Sequence, residues 1–123
     1  ARKNAAVGAH NANVRTLEGA GLMFMAERGD AAGTAGSDIT DEVKPYIQDW
    51  PKVPKLVAEA EGGSEKYTVS IADDGGVEVA PWYAELDDKG EVKFFDYPYR
   101  PGGEGAPSSG GSGGGGEGGD GDG

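Results

Sequence analysis

Apolar positions at the start of the chain recur with a helical period. At 100° per residue, Val7, Val14, Leu17, Gly21, Phe24 and Met25 fall within an arc of about 100°. The pattern predicts one helix from about Arg2 to Glu27, rich in alanine and free of proline, with that arc packed on its own domain. Gly29-Asp30 is the expected stop, with Gly29 as C-cap and Arg28 placed for the negative end of the helix dipole. The opposite face departs from the usual pattern. Ala5, Ala9, Ala12, Thr16, Gly19 and Met23 form a second stripe of mostly small residues, where a surface helix ordinarily carries Lys and Glu. Gly8, Gly19 and Gly21 each cost a helix about 1 kcal/mol relative to alanine. That cost is expected to be repaid by packing, so the stripe is read as a surface that lets another helix approach closely, with alanine as plain filler of a solvent face the alternative.

Beyond the helix the period changes. Ala31 to Ser37 is a loop of small residues; Ser37 or Asp38 then caps a short helix with Asp41 and Glu42 in its first turn, running toward Ile47 and bent or shifted by Pro45. Trp50-Pro51-Lys52-Val53-Pro54 is an extended, proline-fixed segment, with Trp50 expected to plug one end of the core. Lys66 to Ala72 alternates as a half-buried strand, Asp73-Asp74-Gly75-Gly76 is a hairpin turn, and Val77 to about Pro81 resumes the alternation. A second turn at Asp87-Asp88-Lys89-Gly90 leads into a strand from Glu91 to Tyr97. Such short turns make the strands antiparallel, and three strands need a helix across one face to bury it. The predicted fold is therefore α+β: a long N-terminal α-helix packed on a small antiparallel sheet of about three strands. The globular domain is placed at 1–100, with the helix over 1–28, a loop with a short helix over 31–65 and strands over 66–100. The stretch 101–123, which holds 13 of the 24 glycines, is expected to be a disordered Gly/Ser/acidic tail.

Charge narrows the function classes. The chain carries 22 acidic and 11 basic residues, a formal net charge of −11. It divides into +1 for residues 1–30, −8 for 31–100 and −4 for 101–123. That balance argues against a nucleic-acid binder and against docking on an anionic membrane. No run of about 18 apolar residues is present, and there is no signal-peptide pattern. The opening Ala1-Arg2-Lys3-Asn4, without an initiator Met, reads as a mature or trimmed product. The absence of cysteine removes disulfides, thiol catalysis and cysteine-type zinc sites.

Candidate chemistry is sparse. His10, the one histidine, is read as a solvent-facing or interface residue, because a lone acid–base group without a partner makes no catalytic site. Asp73-Asp74 and Asp87-Asp88 offer the oxygen ligands calcium takes, but neither fits a twelve-residue calcium loop, and both are read as solvated turns. Glu117, Asp120 and Asp122 are read as solubility charges, and Ser108, Ser109 and Ser112 as linker residues, with O-glycan attachment the alternative. Trp82, Tyr83, Phe94, Phe95, Tyr97 and Tyr99 are expected to close the core and cover the sheet edge, since the acids around them suit neither DNA nor RNA. No catalytic residue, metal or cofactor is expected.

The order of these pieces resembles the globular half of a type IV pilin or type II secretion major pseudopilin. The resemblance is carried by Ala1-Arg2-Lys3-Asn4-Ala5-Ala6-Val7 and the helix running on to Met25-Ala26-Glu27-Arg28-Gly29. It continues through Val43-Lys44-Pro45-Tyr46-Ile47, Trp50-Pro51-Lys52-Val53-Pro54 and Tyr67-Thr68-Val69-Ser70-Ile71. It covers roughly residues 1–97. It implies a structural subunit of a surface filament that assembles through helix–helix packing, with other copies of itself and minor pilins as partners, no nucleic acid and no enzymatic activity. A secretion pseudopilin and a DNA-uptake or adhesive pilin are the alternatives within the same resemblance. Val7, Val14, Leu17, Gly21, Phe24 and Met25 would then pack on the subunit's own sheet. Ala5, Ala9, Ala12, Thr16, Gly19 and Met23 would face neighbouring helices in the filament. Localisation would be the cell surface, after anchoring in the membrane through an apolar helical half. That half, with the glutamate that follows the family's processing site, is absent from this sequence, as is the two-cysteine loop common in Gram-negative pilins. The apolar half is expected to have been removed or to belong to another chain, and no processing or methylation residue is carried over.

Overall fold

The computed structural model describes residues 2–103. Helix α1 runs from Arg2 to Arg28, as the periodicity predicts. A 3-10 turn, Gly29–Ala32, follows. Helix α2, Thr40–Val43, is prolonged by a 3-10 turn at Lys44–Tyr46, which carries Pro45 where its missing N–H costs nothing. The N-cap of α2 is Ile39, not Ser37 or Asp38, and it makes no side-chain cap bond; Asp38 Oδ1, one residue earlier, accepts the Thr40 N–H at 2.8 Å. A one-turn helix α3, Lys55–Ala58, follows Pro54. Four strands complete the domain: β1 Thr68–Ile71, β2 Val77–Ala80, β3 Ala84–Leu86 and β4 Val92–Phe94. The class is α+β, a long N-terminal helix packed on small antiparallel sheets.

The strands form two separate hairpins, not one three-stranded meander. β1 pairs with β2, Val69 opposite Val79, and β3 pairs with β4, Glu85 opposite Lys93. Both predicted turns are present, with Gly75 and Gly90 at φ of +87° and +77°, where a Cβ would be strained. The strand absent from the expectation is β3. Ala84-Glu85-Leu86 has weak strand propensity, and its order comes from tertiary partners. One of these is the helix. The Asn11 side-chain amide donates Nδ2–H to the Ala84 carbonyl and accepts the Ala84 N–H at Oδ1, both at 2.9 Å. It occupies the place a neighbouring strand would take.

The outer edge of β1 is closed in a similar way by residues 36–40. Gly36 N–H donates to the Ile71 carbonyl, and Ile71 N–H to the Ser37 carbonyl. Ile39 N–H donates to the Val69 carbonyl, and the Thr40 hydroxyl oxygen accepts the Val69 N–H at 2.9 Å. Both amides and both carbonyls that β1 turns away from β2 are therefore satisfied.

The helix spans both hairpins. Its C-terminal half, with Val14, Leu17, Ala20 and Phe24, shares one core with β1 and β2. At its N-terminal end Val7 packs with Ala84 and Val92 of the second hairpin. Gly21 is the point of closest approach: a Cβ there would stand 2.7 Å from Val77 Cγ1 and 3.3 Å from Val69 Cγ1. Trp50 is half-buried against the rim of the core, with the Lys44 ammonium 5.8 Å above its ring.

Candidate assembly face of the long helix

The two faces inferred for α1 separate in the fold. Val7, Val14, Leu17, Gly21 and Phe24 are buried and Met25 is half-buried. Ala5, Ala9, Ala12, Thr16, Gly19 and Met23 are all exposed. Met23 is 55% exposed and its neighbour Leu22 51%; with Tyr99 they are the large hydrophobic side chains left open to solvent among the described residues. None of the six stripe residues is charged, and Arg2 and Glu27 stand on the same side at its two ends. The Arg15 guanidinium lies 5.8 Å over the Tyr83 ring, and the Glu27 carboxylate accepts the Tyr46 hydroxyl.

The three helical glycines divide in the same way. Gly21 is occupied by its own domain. At Gly8 and Gly19 an added Cβ would meet nothing within 4 Å. Inside the domain these two glycines lower helix stability and return no close packing.

Polar side chains also tie the helix to the rest of the domain. His10 is not solvent-facing. It is fully buried, the one polar side chain in the core among the described residues. It lies at the centre of the apolar arc, between Val7, Val14 and Leu17, and that position is the signal that could have revealed it. Its Nε2 is 2.7 Å from the Trp82 carbonyl oxygen. A carbonyl only accepts, so Nε2 carries the hydrogen. Nδ1 therefore accepts the Tyr67 hydroxyl, also at 2.7 Å. Asn13 Nδ2 donates to the same Tyr67 oxygen at 3.3 Å. Burial lowers the His10 pKa, opposed by the bond to Trp82. Burial likewise pushes the Tyr67 phenol up to about 12.

A second tie lies two turns further along. The Glu18 carboxylate receives a two-pronged bond from Arg100, at 3.1 and 2.8 Å, and the Tyr83 hydroxyl at 2.9 Å. The Arg100 guanidinium also lies 5.2 Å over the Tyr83 ring and 5.6 Å over Trp82. Trp82 Nε1–H donates to the Tyr99 carbonyl, and Tyr97 packs edge-on against Trp82. The late aromatics thus serve the core and its margin: Trp82, Tyr83 and Phe95 are buried, Phe94 and Tyr97 half-buried, and Tyr99 exposed.

The acidic turns satisfy themselves. Asp74 Oδ1 accepts the Gly76 N–H and the Tyr97 hydroxyl, and these bonds, Gly76 first, hold its carboxyl below the usual range. Asp87 Oδ1 accepts the N–H groups of Lys89 and Glu91, with the Glu91 bond the larger cause of its lowered pKa. Among the described residues no group of three or more His, Asp or Glu side chains is placed to hold a metal ion. No helix among them is long and apolar enough to cross a membrane. The candidate glycan serines Ser108, Ser109 and Ser112, and the tail acids Glu117, Asp120 and Asp122, lie outside the described residues.

Comparison of the chain with protein-family models, with curated proteins and with solved structures finds no match.

Proposed function

We propose that this chain is the globular part of a structural filament subunit of the type IV pilin kind, assembling by packing the exposed face of α1 against helices of other copies. The role is mechanical, with no catalysis, cofactor or nucleic acid involved. What carries the reading is the difference between the helical glycines. Gly21 meets β2 inside its own domain, whereas Gly8 and Gly19 lie in open space on the face that also exposes Ala5, Ala9, Ala12, Thr16 and Met23. Small residues at spacings of four and three let a second helix approach closely along a shallow, left-handed crossing. The charge distribution agrees, since the acidic excess lies in residues 31–100 and the helical segment is nearly neutral. In a filament the acidic surface would meet solvent and the neutral one would meet its own kind.

The test is Ala9→Glu in the full-length protein. Ala9 is exposed and glutamate is a good helix former, so the isolated domain should keep its melting temperature. A charge buried without a partner between helices should abolish filaments seen by electron microscopy. Filaments at normal abundance and length would refute the assignment of this face.

A further inference from the structure

We propose that His10 is an acid-released pin: its protonation breaks the bond with Tyr67 and loosens the N-terminal half of α1 from the segment Trp82–Ala84 at the start of β3. The inference concerns the inside of one subunit and stands whether or not the helix assembles with others. It rests on a continuous chain of hydrogen bonds. The Asn13 amide donates to the Tyr67 oxygen, the Tyr67 hydroxyl to His10 Nδ1, and His10 Nε2–H to the Trp82 carbonyl. Every polar atom of the neutral imidazole is satisfied, and only one tautomer fits. The next residue, Asn11, holds both backbone groups of Ala84, so the His10 and Asn11 bonds tie one stretch of chain at the start of β3 to one turn of helix.

A second proton has no acceptor in this chain of bonds. It must sit on Nδ1, which faces a hydroxyl already donating toward it. Tyr67 would have to turn its own proton elsewhere while still accepting from Asn13. Nor is a compensating charge provided. Tyr67 stacks on the imidazole with ring centroids 5.6 Å apart, and Phe94 meets it edge-on at 6.0 Å. Tyr67 is the one titratable side chain among these neighbours, and its raised pKa keeps it neutral through the acid range. The charged groups of the surrounding elements are engaged or turned outward. On α1, Lys3 donates to the Gly90 carbonyl, Arg15 lies over Tyr83 and Glu18 is held by Arg100. Lys66 ahead of β1, Lys52, Lys55 and Glu59 around α3, and Glu91 and Lys93 at β4 are exposed. Glu85 of β3 stands opposite Lys93 in the ladder. An imidazolium here would be a buried cation without a counter-ion, which a fold relieves by opening.

The sign follows from linkage. A histidine whose pKa is lowered on folding contributes stability that is complete above its unfolded value, about 6.5, and is lost as pH falls through that value toward the folded one. Glu78, raised by burial, acts in the opposite direction and is common to wild type and variant. Unfolding of the whole chain should be followed from about pH 7.5 to about pH 5, with amide hydrogen exchange of Ala84 as the local readout. In the wild type the unfolding constant should rise about tenfold per pH unit below about 6.5, and Ala84 protection should fall with it. In His10→Gln, whose amide can donate to Trp82 and accept from Tyr67 without titrating, that slope should vanish. Parallel slopes in the two proteins would overturn the proposal. Should the variant not fold, nitrogen NMR of the wild-type imidazole decides. A neutral Nε2–H form persisting well below pH 6.5 and vanishing together with Ala84 protection is the expected result. An ordinary titration with Ala84 protection unchanged overturns the proposal.

Discussion

Replacing Gly19 by alanine, with Gly21→Ala beside it, tests how the helix divides its surface. Both substitutions lie in the interior of α1, so each gains the same intrinsic term, about 1 kcal/mol. At Gly19 that gain stands alone, because the new methyl meets nothing within 4 Å. At Gly21 the methyl arrives 2.7 Å from Val77 Cγ1 and 3.3 Å from Val69 Cγ1. Both are β-branched side chains in the core, with little rotamer freedom to yield. Overpacking of that kind costs about 1 to 3 kcal/mol. The intrinsic term cancels in the comparison, so Gly19→Ala should be more stable than Gly21→Ala by about 1 to 3 kcal/mol. Relative to wild type, Gly19→Ala should raise the melting temperature of the domain by about 4 to 8 °C, while Gly21→Ala should leave it unchanged or lower it. Circular dichroism at 222 nm against temperature, with urea titrations to separate stability from compactness, measures both. A lowered melting temperature for Gly19→Ala would mean that this glycine is already used within the domain. The case for an external partner would then lose its main support.

The remaining predictions concern the polar ties. Asn11→Ala strips both partners from the buried Ala84 backbone and should cost about 2 to 4 kcal/mol in urea unfolding. Asn11→Asp should be no better, since its carboxylate still accepts the Ala84 N–H but repels the Ala84 carbonyl. Glu18→Ala removes the acceptor of Tyr83 and of Arg100 and should cost about 2 kcal/mol, discounted because Arg100 is partly exposed. Glu18→Gln keeps the Tyr83 bond and should recover about half of that loss, read from the same unfolding curves.

What could be read in advance follows from the range of the forces involved. The buried arc of α1 was legible because a helix repeats every 3.6 residues, and one stretch of sequence contains the whole argument. The turns at Asp73–Gly76 and Asp87–Gly90 were legible because their chemistry is local. β3 was not. Ala84-Glu85-Leu86 has no strand signal of its own and is ordered by β4 and by a side chain 73 residues earlier. The same holds for His10: a polar residue on an apolar arc looks like an exception until the Trp82 carbonyl, 72 residues away, is seen to need a donor. Glu18 and Arg100, 82 residues apart, likewise have no mutual signature in the sequence. The exposed stripe was readable as a stripe, and its openness to solvent in the folded domain is what the structure adds.

The placement of the ties on α1 has a mechanical consequence. His10, Asn11 and Glu18 attach the helix to the Trp82–Ala84 segment at points spread over eight residues, about 12 Å along its axis. A pull along that axis would load these bonds side by side, in shear, and would not break them one after another from an end. The apolar contacts of Val14, Leu17 and Phe24 slide at little cost over short distances, whereas directional bonds resist from the first fraction of an ångström. The helix is therefore held as a rod pinned at several stations. Tension applied at either end would reach the Trp82–Ala84 segment through all of these bonds together.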